Sequence, residues 1–378
     1  MYSSMQYIYN YIMNNNNYNH DTFDFYNYKD ILEFLPTQKK KIKEQNILHL
    51  NNPLINSIKE YCNTKNNQKF IVSLSGGVDS MVLITILVYL EIEIVAIHIN
   101  YNNRPETKKE QTFIEDWCVY NNIKLYVKSI DNITRSNTKR SDYETITKKI
   151  RFDFYKQISQ TENINYVLLA HHKDDIVENI FANVCRGRNI LDLAVIKQNA
   201  IINNVNIGRP MIDYYKNTIY EFANIYQVPY FKDTTPNWSV RGKYRNNIFP
   251  QIEDAFTSNI KDNLLGLSIQ SDEWNSLIYQ EIITPYINSI IWNKNEYDAF
   301  IVSFNIEKYI DYPLSFWNLV FMNIFNRVGY GCPSKKGILT FINTIKKRII
   351  NPSNIKYNIT LCNKCKCTIK KYTVTIEF

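Results

Sequence analysis

Short apolar runs alternating with longer helical stretches occupy residues 53–185, and no other feature of this 378-residue chain narrows its fold as much. Residues 70–74, 92–99, 123–127 and 166–170 are rich in β-branched and aromatic side chains and have strand length. Residues 81–90 are too long and apolar for a strand and predict a buried helix. Residues 107–120 set Phe113, Trp117 and Tyr120 on one helical face. Residues 144–158 and 176–184 read as helices too. Such alternation predicts an α/β fold, a doubly wound parallel sheet with helices on both faces. Ligands of these sheets sit beyond the carboxyl ends of the strands.

Beyond residue 255 the pattern turns helical, most clearly over residues 314–325. The end of the chain alternates as strands do, through Ile359 and Leu361, Cys367 and Ile369, and then Tyr372, Val374, Ile376 and Phe378. The expected organisation has four parts. Residues 1–50 form a poorly ordered Asn- and Tyr-rich extension, and 51–255 an α/β domain. A helical region over 256–350 and a small β segment over 351–378 follow.

Composition excludes some classes. No stretch approaches the ~18 apolar residues of a membrane-spanning helix. The N-terminus lacks the basic-then-apolar order of a secretory signal. Seven cysteines, mostly scattered, fit a reducing compartment. A soluble protein is expected, cytoplasmic or in the matrix or stroma of an organelle with an A/T-rich genome. A net charge of +8 is compatible with a polyanionic partner. Enrichment in Lys, Asn, Ile and Tyr, the residues of A/T-rich codons, accounts for much of that charge. The Cys362, Cys365 and Cys367 cluster contains one Cys-x-x-Cys pair, which alone is weak evidence for zinc.

The chemistry concentrates first in Ser75-Gly76-Gly77-Val78-Asp79-Ser80, between a strand and a helix. A Gly-rich turn running into a helix N-terminus presents backbone N–H groups and a positive dipole end to an anion. The glycines allow the tight turn, the two serines add hydroxyls, and Asp79 can hold Mg²⁺ or orient the loop. No Gly-Lys-Ser/Thr follows, so this is not a Walker A loop. A second concentration, Ala170 to Asn179 (AHHKDDIVEN), leaves the fourth strand for a helix. Adjacent carboxylates at a strand end suit Mg²⁺, and the histidines can bind metal or cap the helix.

The first motif resembles the PP-loop of N-type ATP pyrophosphatases, which cleave ATP between its α and β phosphates. The second is similar to the HHxDDxxET motif of the tRNA(Ile)-lysidine synthetase family, with Asn179 in place of Thr. Further matches follow the family's order. His98-Ile99-Asn100-Tyr101 with Arg104 resembles HVNHGLR, and Glu144, Lys148 and Arg151 resemble an E…R..R helix. Arg186-Gly187-Arg188 resembles RGxG, and Arg209-Pro210-Met211 resembles RPLL. Residues 232–237 with Tyr244-Arg245-Asn246 resemble EDxTN…RN. The chain lacks the arginine that usually follows that last asparagine.

The resemblance implies an ATP-dependent, AMP-forming ligase that adenylates C2 of the wobble cytidine in a CAU-anticodon isoleucine tRNA. Free lysine then joins that carbon. It implies ATP and Mg²⁺ as cofactors, with tRNA and free lysine as partners and no membrane. Asp79, Asp174, Asp175, His172 and Arg151 are the catalytic candidates. Ser75, Gly76, Gly77, Val78, Asp79, Ser80, His98, Asn100 and Arg186 are the ATP-binding candidates, and Asp79 and Asp175 those for Mg²⁺. Arg241, Lys243, Arg245, Lys346, Lys347 and Arg348 are candidate tRNA contacts. Two alternatives remain open. One is a PP-loop tRNA thiolase, although Cys62, Cys118 and Cys185 lie well apart in the α/β domain; the other is an RNA-binding protein that no longer turns over ATP.

Overall fold

The computed structural model describes residues 52–66, 68–103, 106–131, 133, 137–193, 195–226, 228–231, 239–256, 259–349 and 356–378. The expected extension over 1–50, Arg104, the 232–237 motif and the Arg348 side chain lie outside that description. The chain divides into two compact units. One ends at Leu265, and the other comprises Gly266–Phe378 together with Arg188–Leu193.

The first unit opens with α1 (Pro53–Thr64). Asn52 starts this helix by accepting the N–H groups of Leu54 and Ile55 at 3.0 and 3.3 Å, with Pro53 pre-set for the first turn. Then come β1 (Phe70–Ser73), α2 (Val78–Tyr89), β2 (Ile94–Asn100), α3 (Glu106–Tyr120) and β3 (Lys124–Ser129). They are followed by α4 (Arg140–Glu162), β4 (Tyr166–Leu168), α5 (Lys173–Cys185), β5 (Asn199–Ile202), β6 (Val205–Gly208) and α6 (Lys216–Tyr226). A short α7 (Val240–Lys243) passes through a π-helical turn (Tyr244–Ile248) into α8 (Phe249–Phe256).

The six strands lie in the order β3-β2-β1-β4-β6-β5, parallel except for β5, which pairs antiparallel with β6 at the edge. Strand alternation sends side chains to two cores. Phe70, Val72, Ala96 and Leu168 join one face with residues of α1, α2, α3 and α6. Ile71, Val95, Ile97 and Val167 join the other with Phe152, Tyr155 and Ile158 of α4. α2 is apolar all round because it is enclosed on one face of the sheet by α1 and α6: Met81, Val82, Leu83, Ile84, Ile86 and Leu87 are each 0% exposed. The sheet thus matches the doubly wound architecture expected from the sequence. The chain progresses outwards from β1 through β2 to β3, then returns to place β4 on the other side of β1. That reversal opens a crevice between the carboxyl ends of β1 and β4.

The second unit contains the greater part of α9 (Ile260–Ile278), a π turn (Tyr279–Ile283), α10 (Thr284–Asn288), β7 (Ile291–Lys294) and β8 (Phe300–Asn305). It closes with α11 (Leu314–Arg327), α12 (Lys335–Ile349), β9 (Tyr357–Ile359), β10 (Lys366–Lys370) and β11 (Thr373–Glu377). The C-terminal strands do not stand alone. They join β7 and β8 in one antiparallel sheet of order β7-β8-β11-β10-β9. Its core gathers Trp317, Phe321 and Phe325 of α11, Phe341 of α12, and Val374 and Ile376 of β11, all 0% exposed. Among the described residues no helix is long and apolar enough to cross a membrane.

Candidate functional site

The 75–80 loop leaves β1 at the crevice. Gly76 sits at φ +82°, a left-handed conformation that favours glycine. Its carbonyl accepts the Phe231 N–H at 2.8 Å, and Gly77 forms a parallel bridge with Phe231. The Ser80 hydroxyl donates to the Gly77 carbonyl at 3.0 Å and accepts the Ser75 N–H at 3.1 Å. Its proton being thus committed, the Ser75 hydroxyl donates to Ser80 Oγ at 3.1 Å. The serines therefore brace the loop. The backbone N–H groups of Val78, Asp79 and Ser80, in the first turn of α2, have no acceptor within the helix and are the kind of donors an anion can take.

β4 ends beside β1, and His171 and His172 lead from it into α5. His172 is 0% exposed. Its Nδ1 lies 3.5 Å from Asp174, and its Nε2 3.6 Å from Asp79 and 3.5 Å from Asp175. Burial opposes a charge on this ring, but Asp174 and Asp79 prevail and raise its pKa, favouring the imidazolium. Asp79, also 3.5 Å from Lys216 Nζ, is held below the usual carboxylate range against its burial by His172 and Lys216. Asp174 accepts the Lys216 backbone N–H and the Lys261 ammonium, each at 2.8 Å, and its pKa too falls against the effect of burial.

Asp175 caps α5 by accepting the His172 N–H at 3.1 Å, and it pairs with Arg241 and, at 3.4 Å, with Arg245. Glu178, one turn on, takes Arg241 Nε at 2.9 Å and also pairs with Arg245. The π turn after α7 lets both arginines reach the same two carboxylates. Four carboxylates from α2 and α5 thus meet five cationic groups in a nearly balanced cluster. Asp79 Oδ1 is buried without a hydrogen-bond donor among the described residues. Asp79 and Asp175 both approach His172 Nε2, and carboxylate oxygens such as the donor-free Asp79 Oδ1 are of the hard type that Mg²⁺ takes.

Other candidates fall in different places. His98, 4% exposed, donates from Nδ1 to the Leu74 carbonyl at 2.9 Å, which leaves Nε2 buried and without a partner among the described residues. Asn100 accepts the Asn102 N–H at 2.9 Å and donates to Gln111 at 2.8 Å, shaping the end of β2. Arg151 lies on α4 one turn before Tyr155, whose hydroxyl meets Ser73 of β1 at 2.6 Å. Its guanidinium sits 5.5 Å from the Phe152 ring centre.

Arg186 terminates α5, so a helix of 13 residues, about 20 Å long, separates it from His172. Arg241 and Arg245 are turned to Asp175 and Glu178, while Lys243 is exposed. Lys346 and Lys347 stand on α12 in the second unit, Lys346 being 3.7 Å from Asp311. Cys362 and Cys365 bring their sulfurs to 3.5 Å, and no group of three or more metal-ligating side chains occurs among the described residues.

Two participants escaped the sequence reading, and a third was seen without its partners. Lys216 and Lys261 lie outside every motif. Glu178 was visible one turn after Asp175, but nothing in the sequence marked it as the partner of two arginines.

A family model described as a PP-loop domain matches residues 50–252. A tRNA(Ile)-lysidine synthase of Mycoplasmopsis pulmonis is 38% identical over 181 residues, which is 47% of this chain and 61% of that protein. The match therefore spans less than two thirds of that relative's length. A tRNA(Ile)-lysidine synthase of Ureaplasma parvum serovar 3 is 26% identical over 288 residues, 76% of this chain and 82% of the relative. Among solved structures, the U34-tRNA thiolase NcsA from Methanococcus maripaludis aligns at a TM-score of 0.44 and 17% identity, covering 66% of this chain and 81% of that one. With the glycine loop at the crevice and a family match over more than half its length, the chain belongs to the PP-loop domain family.

Proposed function

We propose that this protein is an ATP-dependent tRNA-modifying ligase that installs lysine on the wobble cytidine of a CAU-anticodon isoleucine tRNA. The observation carrying this reading is the meeting, between β1 and β4, of a braced anion cradle with the His172-centred carboxylate cluster. The names of the related tRNA(Ile)-lysidine synthases support the choice of substrate.

In the first step the C2 oxygen of the cytidine attacks the α-phosphorus of ATP, and pyrophosphate leaves. The 75–80 loop and the α2 dipole hold the departing phosphates. Asp79 and Asp175 would hold Mg²⁺, which supplies charge neutralisation on those oxygens when bound. In the second step the lysine ε-amine attacks C2, AMP departs with the oxygen, and the amine gives up a proton. A carboxylate or imidazole of the cluster accepts it, the candidates being Asp174, Asp175 and His172. Arg241 and Arg245 reach RNA phosphates by exchanging Asp175 and Glu178 for them, alongside Lys243. Lys346, Lys347 and Arg348 are further contacts.

The test is incubation of the full chain with ATP, Mg²⁺, labelled lysine and a CAU-anticodon isoleucine tRNA, followed by nucleoside mass analysis. Lysine-dependent AMP release with label at the wobble position is the expected result. Adenylation without lysine incorporation would redirect the search to another nucleophile, such as the sulfur source of a thiolase. Absence of adenylation would refute the enzymatic reading.

A further inference from the structure

The two histidines that leave β4 are adjacent in sequence but differ in protonation. His172 faces three carboxylates. His171 faces Arg209, whose Nε donates to His171 Nδ1 at 3.0 Å. A guanidinium carries only donors and does not deprotonate in proteins. The Nδ1 it meets must therefore present a lone pair, which places the ring proton on Nε2.

Arg209 cannot easily turn away. It is 4% exposed, its Nη1 donates to the Lys197 carbonyl at 2.5 Å, and its backbone N–H donates to the Gln198 carbonyl at 2.9 Å. The preceding residue, Gly208, is in register with Leu168 of β4, and its carbonyl accepts the Leu169 N–H at 2.8 Å. Strand pairing thus fixes the arginine relative to the histidine. The charged groups acting on His171 are Arg209 from the end of β6, Arg241 from α7, Arg151 from α4 and His172, all cationic. Burial, then this positive surround, pushes the ring down to about 3. Among the described residues Nε2–H has no hydrogen-bond acceptor, so the one donor of the ring is left over at the carboxyl end of β4.

We infer that Arg209 is a positioning residue that locks His171 as the neutral Nε2–H tautomer, making His171 a fixed N–H donor to a phosphate oxygen of the nucleotide rather than a proton acceptor. The donor half of this statement rests on the nucleotide reading of the site; the lock rests on the Arg209–His171 geometry alone. A positive surround selects an anionic oxygen, and a neutral ring among cations keeps its single proton directed without adding a repelled charge.

The test is ¹⁵N-histidine NMR of the full chain, with the His171 signals assigned by their loss in His171→Gln. The expected spectrum has a pyridine-like Nδ1 and a pyrrole-like Nε2, unchanged from about pH 8 to about pH 5.5, below the ordinary histidine pKa. Arg209→Met removes the donor facing Nδ1, so the Nδ1–H and Nε2–H tautomers should mix, while burial and the remaining cations keep the ring below its ordinary value. Should that variant not fold, the wild-type spectrum decides alone. An Nδ1–H tautomer, or a wild-type ring that titrates near its ordinary value, overturns the lock.

Saturating α,β-methylene-ATP, with binding followed by calorimetry, should shift Nε2. Binding without that shift overturns the donor role and leaves the nucleotide reading intact. No calorimetric binding removes the nucleotide reading and the donor role together, while the tautomer result stands. Under turnover, His171→Leu should lose about 100-fold in kcat and His171→Gln, which keeps an N–H donor, markedly less. Equal losses would also overturn the donor role.

Discussion

Gly208→Ala should unfold the first unit more readily than its single methyl suggests. Tyr61 of α1 crosses over Gly208 and donates its hydroxyl to Asn199 Oδ1 at 2.7 Å; Asn199 is the residue paired with Gly208 across β5 and β6. A Cβ on Gly208 would stand 2.1 Å from that hydroxyl, 2.9 Å from the ring carbon bearing it and 2.8 Å from Leu168 Cδ2. Tyr61 is only 5% exposed and packs in the main core, so the ring has little room to retreat. Overpacking of this kind costs about 1–3 kcal/mol, and the displaced hydroxyl forfeits about 1 kcal/mol of hydrogen bonding. A total of about 3 kcal/mol lowers Tm by roughly 6–12 °C for a unit of this size.

The assay is calorimetric unfolding of wild type, Gly208→Ala, Tyr61→Phe and the double variant. Tyr61→Phe alone should cost about 1 kcal/mol. It removes the closest contact and the same hydrogen bond, so the double variant should be about 1 kcal/mol better than the sum of the singles. A Gly208→Ala protein that melts with wild type, or a cycle without coupling, would refute the steric argument.

His171 supplies a pH signature. Its folded pKa, about 3, is depressed from 6.5, so its stabilising contribution is complete above pH 6.5 and is lost as pH falls through that value. From about pH 8 to pH 5.5 the loss is about 1.4 kcal/mol, and in denaturant titrations His171→Gln should lack that component. Equal pH slopes in both proteins would contradict the neutral ring. Asp79→Asn keeps shape but removes a carboxylate that faces both His172 and Lys216; AMP formation should fall at least 100-fold with Tm little changed. Unaltered turnover would remove Asp79 from the chemistry. Trp317→Ala opens a cavity among Phe304, Phe321 and Phe341 and should cost about 3–5 kcal/mol in the second unit, read as an earlier calorimetric transition. A transition at the wild-type temperature would mean that Trp317 is not a core anchor.

The parallel sheet was legible because its strands are buried on both faces and therefore read as unbroken apolar runs, as Phe70 to Val72 and Val95 to Ile97 show. The site was legible as far as its motifs were contiguous: Ser75 to Ser80 and His171 to Asp175 each lie on one loop and one helix start. What the sequence hid was pairing at a distance. Lys216 and Lys261 reach Asp174 from 42 and 87 residues away, and neither stands in a run that announces chemistry. Strands β7 and β8 stayed hidden within a stretch whose neighbours read as helical. β7 has three exposed residues of four, so its edge position leaves almost no apolar pattern to detect. The arginines of the α7 segment were read only as tRNA contacts, because nothing local reveals that Asp175 and Glu178 will be opposite them.

The tie between the Gly76 carbonyl and Phe231 gives the nucleotide loop a schedule as well as a shape. Synthesis runs from the N-terminus, so the six residues of the loop emerge while the strand residue that holds them is still 155 positions from being made. Until Phe231 arrives, nothing clamps Gly76 in its left-handed conformation, and a chain stopped earlier possesses the glycine loop without its anchor. Competence to grip phosphate is in this sense a late-acquired property of an early sequence: it waits for the chain as far as Phe231, and a half-made chain is poorly equipped to consume ATP.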